Sequence, residues 1–249
     1  MSPAVVSGIV FACVFGGALL GMSLRPLLPE RHATADSKDV VKLGMGLIAT
    51  MAALVLGLLI ASAKGSYDTQ RAELTQMSTD IVLLDSVLAR YGPEAHQARA
   101  LIRRGVVSAL DRIWPADSSR PLDPIAARGE VVFEAIQTLA PQSEAQRTLQ
   151  TQALNIALGI ARTRWLLFEQ SGSSIPLPFL VVLVFWLTIL FASFNLFAPR
   201  NATIIATMVV CSLSVAGALF LILELDRPFQ GLIRIPSAPL RNALAHLDQ

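Results

Sequence analysis

Residues 40–91 read VVKLGMGLIATMAALVLGLLIASAKGSYDTQRAELTQMSTDIVLLDSVLARY, with no proline anywhere in the run. The first part, residues 43–63, is 21 residues without a charge, enough for a helix to cross a bilayer. The second part turns polar, and its strongest helix-breaking signal is Gly65. There Tyr67, Leu74, Met77, Ile81, Leu84, Leu88 and Tyr91 recur at the three-four-seven spacing of a helix packing along one seam. The stretch therefore predicts one helix that spans the membrane and continues into water, about 75 Å long at 1.5 Å per residue.

The membrane half carries two further patterns. Ala49, Ala53, Gly57, Ala61 and Gly65 stand four apart, a small-residue stripe that lets another helix backbone approach closely. Leu47, Met51, Leu54 and Leu58 occupy a different face. The small stripe suits packing either within a single-chain bundle or against other subunits, and one face is a candidate pore lining.

Around this helix the composition is that of a membrane protein. Of 249 residues, 53% are hydrophobic and only 15% charged, against about 25% in a soluble domain. The deficit is local. Residues 3–24, 43–63, 175–199 and 201–223 hold no charge, and each window has the length of a transmembrane helix. The first has no basic flank and no convincing cleavage site, so it is expected to be a retained span. Cys13 and Cys211 both fall inside predicted spans, and no disulfide framework is implied. Net charge is +2 with no basic run, so nucleic acid is not an expected partner.

Pro26 and Pro29 end the first helix, and Asp36 or Ser37 is positioned to cap the second. Gly92-Pro93 stops the long helix. Three more water-exposed helices are predicted, over residues 94–114, 124–139 and 144–170. The first of these turns Ala98, Ile102, Val106, Ala109 and Ile113 inward, and the second Val132, Ile136 and Leu139. Prolines 115, 121 and 124 mark a loop, and Ser143 with Gln146 forms a capping-box signature for the last. Residues 171–174 are a hinge back into the membrane. The expected organisation is two spans over 1–63, a helical domain over 64–174, two spans over 175–223, and a tail over 224–249 with a turn and a short amphipathic helix. The fold class is all-α.

No enzyme chemistry is legible. His32, His96 and His246 have no partners at metal-ligand spacing, no phosphate-binding glycine motif occurs, and neither catalytic residue, metal nor cofactor is expected. Uncharged polar residues in the spans, such as Thr50, Thr188, Asn195, Thr207, Ser212 and Ser214, are expected to hydrogen-bond between helices. The end of the last span, Glu224-Leu225-Asp226-Arg227-Pro228-Phe229, stands out. Its bland explanation is a stop at the membrane boundary. Its functional one makes Glu224, Asp226, Arg227 and Phe229 candidates for a pore mouth.

Four spans, a helical block between spans two and three, and a Pro-Phe turn after the last span resemble the bestrophin superfamily. Pro228-Phe229 and Pro239-Leu240 fall where bacterial bestrophins carry a Pro-Phe-Gly turn and a Pro-Leu pair. Tyr67-Asp68, Leu84-Asp85, Tyr91-Gly92-Pro93-Glu94, and Asp226-Arg227-Pro228-Phe229 with Gly231 are similar to a bacterial family called bestrophin-like. The resemblance implies a homo-oligomeric ion channel in the bacterial inner membrane, a pentamer conducting anions, with span two forming a narrow apolar neck. Leu47, Met51, Leu54 and Leu58 would supply that neck. Residues 43–63 lack the aromatic side chains that bestrophins place there, and residues 231–239 lack the acidic run with which animal bestrophins bind calcium. The alternative is a non-conducting membrane sensor or scaffold. Family layout, and a slight excess of Lys and Arg beside the spans on that side, place both termini and the central block in the cytoplasm.

Overall fold

The structure, a computed structural model, describes residues 2–24, 35–114, 129–170, 175–196 and 201–247. Its helices are α1 (Pro3–Leu24), α2 (Ala35–Tyr91), α3 (His96–Ile113), α4 (Gly129–Gln137), α5 (Glu144–Glu169), α6 (Leu177–Leu196), α7 (Ala202–Leu225) and α8 (Ala238–Leu247). Among the described residues there is no strand. Four helices, α1, α2, α6 and α7, are long and apolar enough to cross a membrane. The protein is thus all-α and multi-pass. The chain divides into two compact units, Met1–Tyr67 with Ser173–Arg227, and Asp68–Gly172 with Pro228–Gln249.

The first unit is the membrane-spanning one. Its core gathers Val10 and Val14 of α1, Ala52, Leu59 and Ala63 of α2, Leu180 and Leu183 of α6, and Leu219 and Ile222 of α7. Lipid tails are as apolar as these side chains, so close packing rather than water exclusion holds such helices together. Gly17 and Gly21 make that packing possible. A Cβ on Gly17 would stand 2.7 Å from the methyl of Thr188 and 2.9 Å from its carbonyl oxygen, and one on Gly21 would collide with the Ala192 carbonyl. The Thr188 hydroxyl donates to the Val184 carbonyl at 2.7 Å, satisfied on its own helix while its methyl meets α1.

Five of the six polar residues named from the sequence bond within their own helix rather than to another, and the buried Ser212 hydroxyl has no hydrogen-bond partner among the described residues. Thr50, Thr188, Asn195, Thr207 and Ser214 each donate to the carbonyl four residues earlier. In a helix this acceptor is always within reach, whereas a partner across the interface needs matching geometry.

In the second unit α2 uses the seam predicted from its spacing. Leu74, Met77, Ile81, Leu84, Leu88 and Tyr91 are all buried. Gly92, at φ 127°, takes a conformation that favours glycine, and a single 3-10 turn, Pro93–Ala95, leads into α3. Ala98, Leu101, Ile102 and Val106 form the buried face of α3, with Ala109 and Ile113 half-buried. Ser143 caps α5, its hydroxyl accepting from the Gln146 N–H at 3.1 Å. The Gln146 side chain completes the box one residue early. Its oxygen accepts from the Gln142 N–H at 2.7 Å, and its amide donates to the Tyr91 carbonyl at 3.0 Å, tying the start of α5 to the end of α2. Gln150 donates to the Ile136 and Leu139 carbonyls at 3.0 and 2.9 Å, satisfying the C-terminus of α4.

Two expectations shift. The second helix already begins at Ala35, so Asp36 and Ser37 lie in its first turn rather than at its cap. The helix predicted over residues 124–139 is described over Gly129–Gln137 and ends two residues early, its expected start at 124–128 lying outside the described residues. The predicted breaks at Pro26, Pro29 and residues 115–128, and the hinge at 171–174, lie outside the described residues.

Candidate pore-lining span and the turn after span four

Within its own chain, the membrane-crossing part of α2 buries a single seam of Met45, Ala52, Leu59 and Ala63. The other two faces named from the sequence are uncovered. Leu47, Met51, Leu54 and Leu58 are 65, 43, 70 and 60% exposed. Ala53, Gly57 and Ala61 are exposed and Ala49 is half-exposed. A Cβ added at Gly57 or Gly65 would meet nothing within 4 Å. The close approach that glycine permits is realised inside this unit at Gly17 and Gly21 instead, while the stripe on α2 stays open.

The end of α7 is compact. The Asp226 N–H donates to the Ile222 carbonyl and the Arg227 N–H to the Glu224 carbonyl, both at 3.1 Å, a tightened last turn before Pro228. Glu224 and Asp226 are buried, and Arg227 is exposed.

The second unit resumes at Pro228 and holds the turn that follows. The Ile235 N–H donates to the Pro228 carbonyl at 2.7 Å and closes a loop containing Gly231 at φ 88°. Trp114, at the end of α3, fastens this loop. Its indole N–H donates to the Ile235 carbonyl at 2.9 Å, and its ring meets Phe229 edge-on at 6.2 Å. Beyond it, α8 buries Leu240 and Ala243 and packs on α3. Of the four mouth candidates, Phe229 is therefore half-buried against Trp114. Sequence reasoning missed Trp114. The signal was a tryptophan finishing an apolar helix face beside Pro115, since a buried indole N–H requires an acceptor.

The second unit also contains an ion pair that sequence reasoning did not single out. The Arg99 guanidinium donates to both oxygens of Asp85, at 2.7 and 2.8 Å. This hydrogen bonding raises the Arg99 pKa above its ordinary value, against an opposing effect of burial. His96 and His246 are exposed, His32 lies outside the described residues, and no metal-holding cluster of His, Cys, Asp or Glu occurs among the described ones.

A family model described as Bestrophin-like domain matches residues 12–240. Among solved structures, a bacterial bestrophin homologue from Klebsiella pneumoniae, crystallised with one substitution, is similar at a TM-score of 0.69. The match covers 96% of each chain at 14% identity, a likeness of fold. No curated protein matches the chain.

Proposed function

The chain belongs to the Bestrophin-like family, and from that premise we propose that it forms a homo-oligomeric, channel-like pore lined by α2. The observation that carries the reading is the pair of uncovered faces on α2. A span that buries one seam in its own chain and leaves both an apolar stripe and a small-residue stripe open is suited to an assembly around an axis. The stripe of Ala49, Ala53, Gly57 and Ala61 takes a neighbouring copy. Leu47, Met51, Leu54 and Leu58 then face the axis and ring a narrow constriction that gates by dewetting. Glu224, Asp226, Arg227 and Phe229 belong to the mouth, with Phe229 holding the turn in place.

By family resemblance the assembly is a pentamer and the permeant ion an anion, in a bacterial inner membrane with both termini and the helical domain cytoplasmic. Domain limits of 1–63, 64–174, 175–223 and 224–249 are proposed on the same basis. The test is ion flux through purified protein in liposomes, with Leu54→Ser or Met51→Ser predicted to raise it. Background flux in parent and variants, with folding and assembly intact, favours the sensor or scaffold.

A further inference from the structure

The last two turns of α5 expose two aromatic rings. Trp165 and Phe168 are 65 and 69% exposed, and their rings meet edge-on at 6.0 Å. Leu158 and Leu166 beside them are exposed as well. This is a larger apolar surface than a water-facing helix end needs. Two arginines, Arg162 and Arg164, are exposed within one turn of Trp165, and one carboxylate, the exposed Glu169, follows Phe168.

The end of α5 is also fixed in register with α2. Gln70 donates its side-chain amide to the Gln170 carbonyl at 3.2 Å, and the Gln170 amide donates to Glu73 at 3.1 Å. Gln70 and Glu73 stand seven and ten residues after Ala63, the last residue of the charge-free window. On the other side, span α6 begins eight residues after Glu169. The aromatic pair thus lies, along the chain, between two segments that cross the bilayer. Tryptophan and phenylalanine interleaved with arginine are the side chains a membrane interface selects.

We propose that Trp165 and Phe168, with Arg162 and Arg164, form a docking surface for the anionic phospholipid headgroups of the surrounding bilayer. The rings insert at the level of the glycerol backbone and the guanidiniums take the phosphates. Lipid binding at this surface is independent of whether the protein conducts.

The test uses the full chain in nanodiscs of phosphatidylcholine with phosphatidylglycerol. Emission of Trp165 is isolated as the difference between the parent and Trp165→Phe, which keeps an aromatic ring. Circular-dichroism melts and particle size confirm that the variant folds and assembles. The expected result is that lipid brominated high on its acyl chain quenches the difference emission and that aqueous iodide does not. Replacing Arg162 and Arg164 by Gln should weaken retention of phosphatidylglycerol roughly five-fold per arginine removed, with phosphatidylcholine retention unchanged. Two results overturn the proposal. Quenching by iodide alone places Trp165 in water. Shielding from both quenchers, with loss of oligomer in Trp165→Ala, makes the surface a contact between copies.

Discussion

Arg99 holds Asp85 with two parallel hydrogen bonds, across fourteen residues and the turn that joins α2 to α3. The bidentate geometry is the strong form of an ion pair, and Asp85 is nearly closed off from water. Replacing Asp85 by Ala leaves a partly buried guanidinium without its acceptor. We expect a loss of about 2–3 kcal/mol, less than a fully buried pair because Arg99 keeps some access to water. Arg99→Lys should recover only part of the stability, since an ammonium cannot form the fork. Thermal melts of the two variants in detergent check this.

The clamp between Trp114 and Ile235 gives a second prediction. Trp114→Phe keeps a ring against Phe229 but loses the N–H···O bond, a cost of about 1 kcal/mol. Trp114→Ala removes the ring too, and about 3–5 kcal/mol is expected. Hydrogen exchange over residues 228–235 should rise in both variants, more in the second, while exchange in α5 is unchanged. Equal exchange in parent and Trp114→Ala would mean that the loop is held without the tryptophan.

Two glycines in membrane-spanning helices make opposite predictions. At Gly21 the Ala192 backbone occupies the place of a Cβ, so Gly21→Ala strains α1 against α6 and should cost about 1–3 kcal/mol in thermal stability. At Gly57 a Cβ meets open space, and Gly57→Leu leaves the protomer folded. If the small stripe receives a neighbouring copy, Gly57→Leu dissociates or alters the oligomer. Light scattering of the detergent-solubilised variants separates the cases. A Gly57→Leu oligomer of unchanged mass would assign that face to lipid.

Much of the fold was legible because membrane spans declare themselves by length and absence of charge, and a helix seam by its period. The four spans, the seam from Leu74 to Tyr91, the stop at Gly92 and the Ser143 cap are all local patterns. What the sequence hid depends on partners far away along the chain. Trp114 and Ile235 are 121 residues apart, and nothing local to either names the other. A small-residue stripe was legible on α2, but only the structure shows where close packing is used within the chain. Gly17 and Gly21 find Thr188 and Ala192 in the same chain, and Gly57 finds nothing. Within one chain Leu47, Met51, Leu54 and Leu58 stay bare, and a proposed pore axis, as a property of several copies, is not written in any one of them.

Orientation is testable with single cysteines. After Cys13→Ala and Cys211→Ala, a cysteine at the exposed position Gln97 or at Gln249 should resist a membrane-impermeant maleimide in intact cells and react after lysis. Ready labelling of both from outside would place the helical domain on the other side.

The central claim is that the exposed leucine stripe of α2 rings a poorly wetted constriction. Ion flux into liposomes carrying the parent or Leu54→Ser, at equal protein density and with oligomer size verified, tests it most directly. One hydroxyl on each copy lets water enter the ring, and the account predicts a several-fold rise in flux over the parent. Flux at the protein-free background in both, from folded and assembled protein, would contradict it.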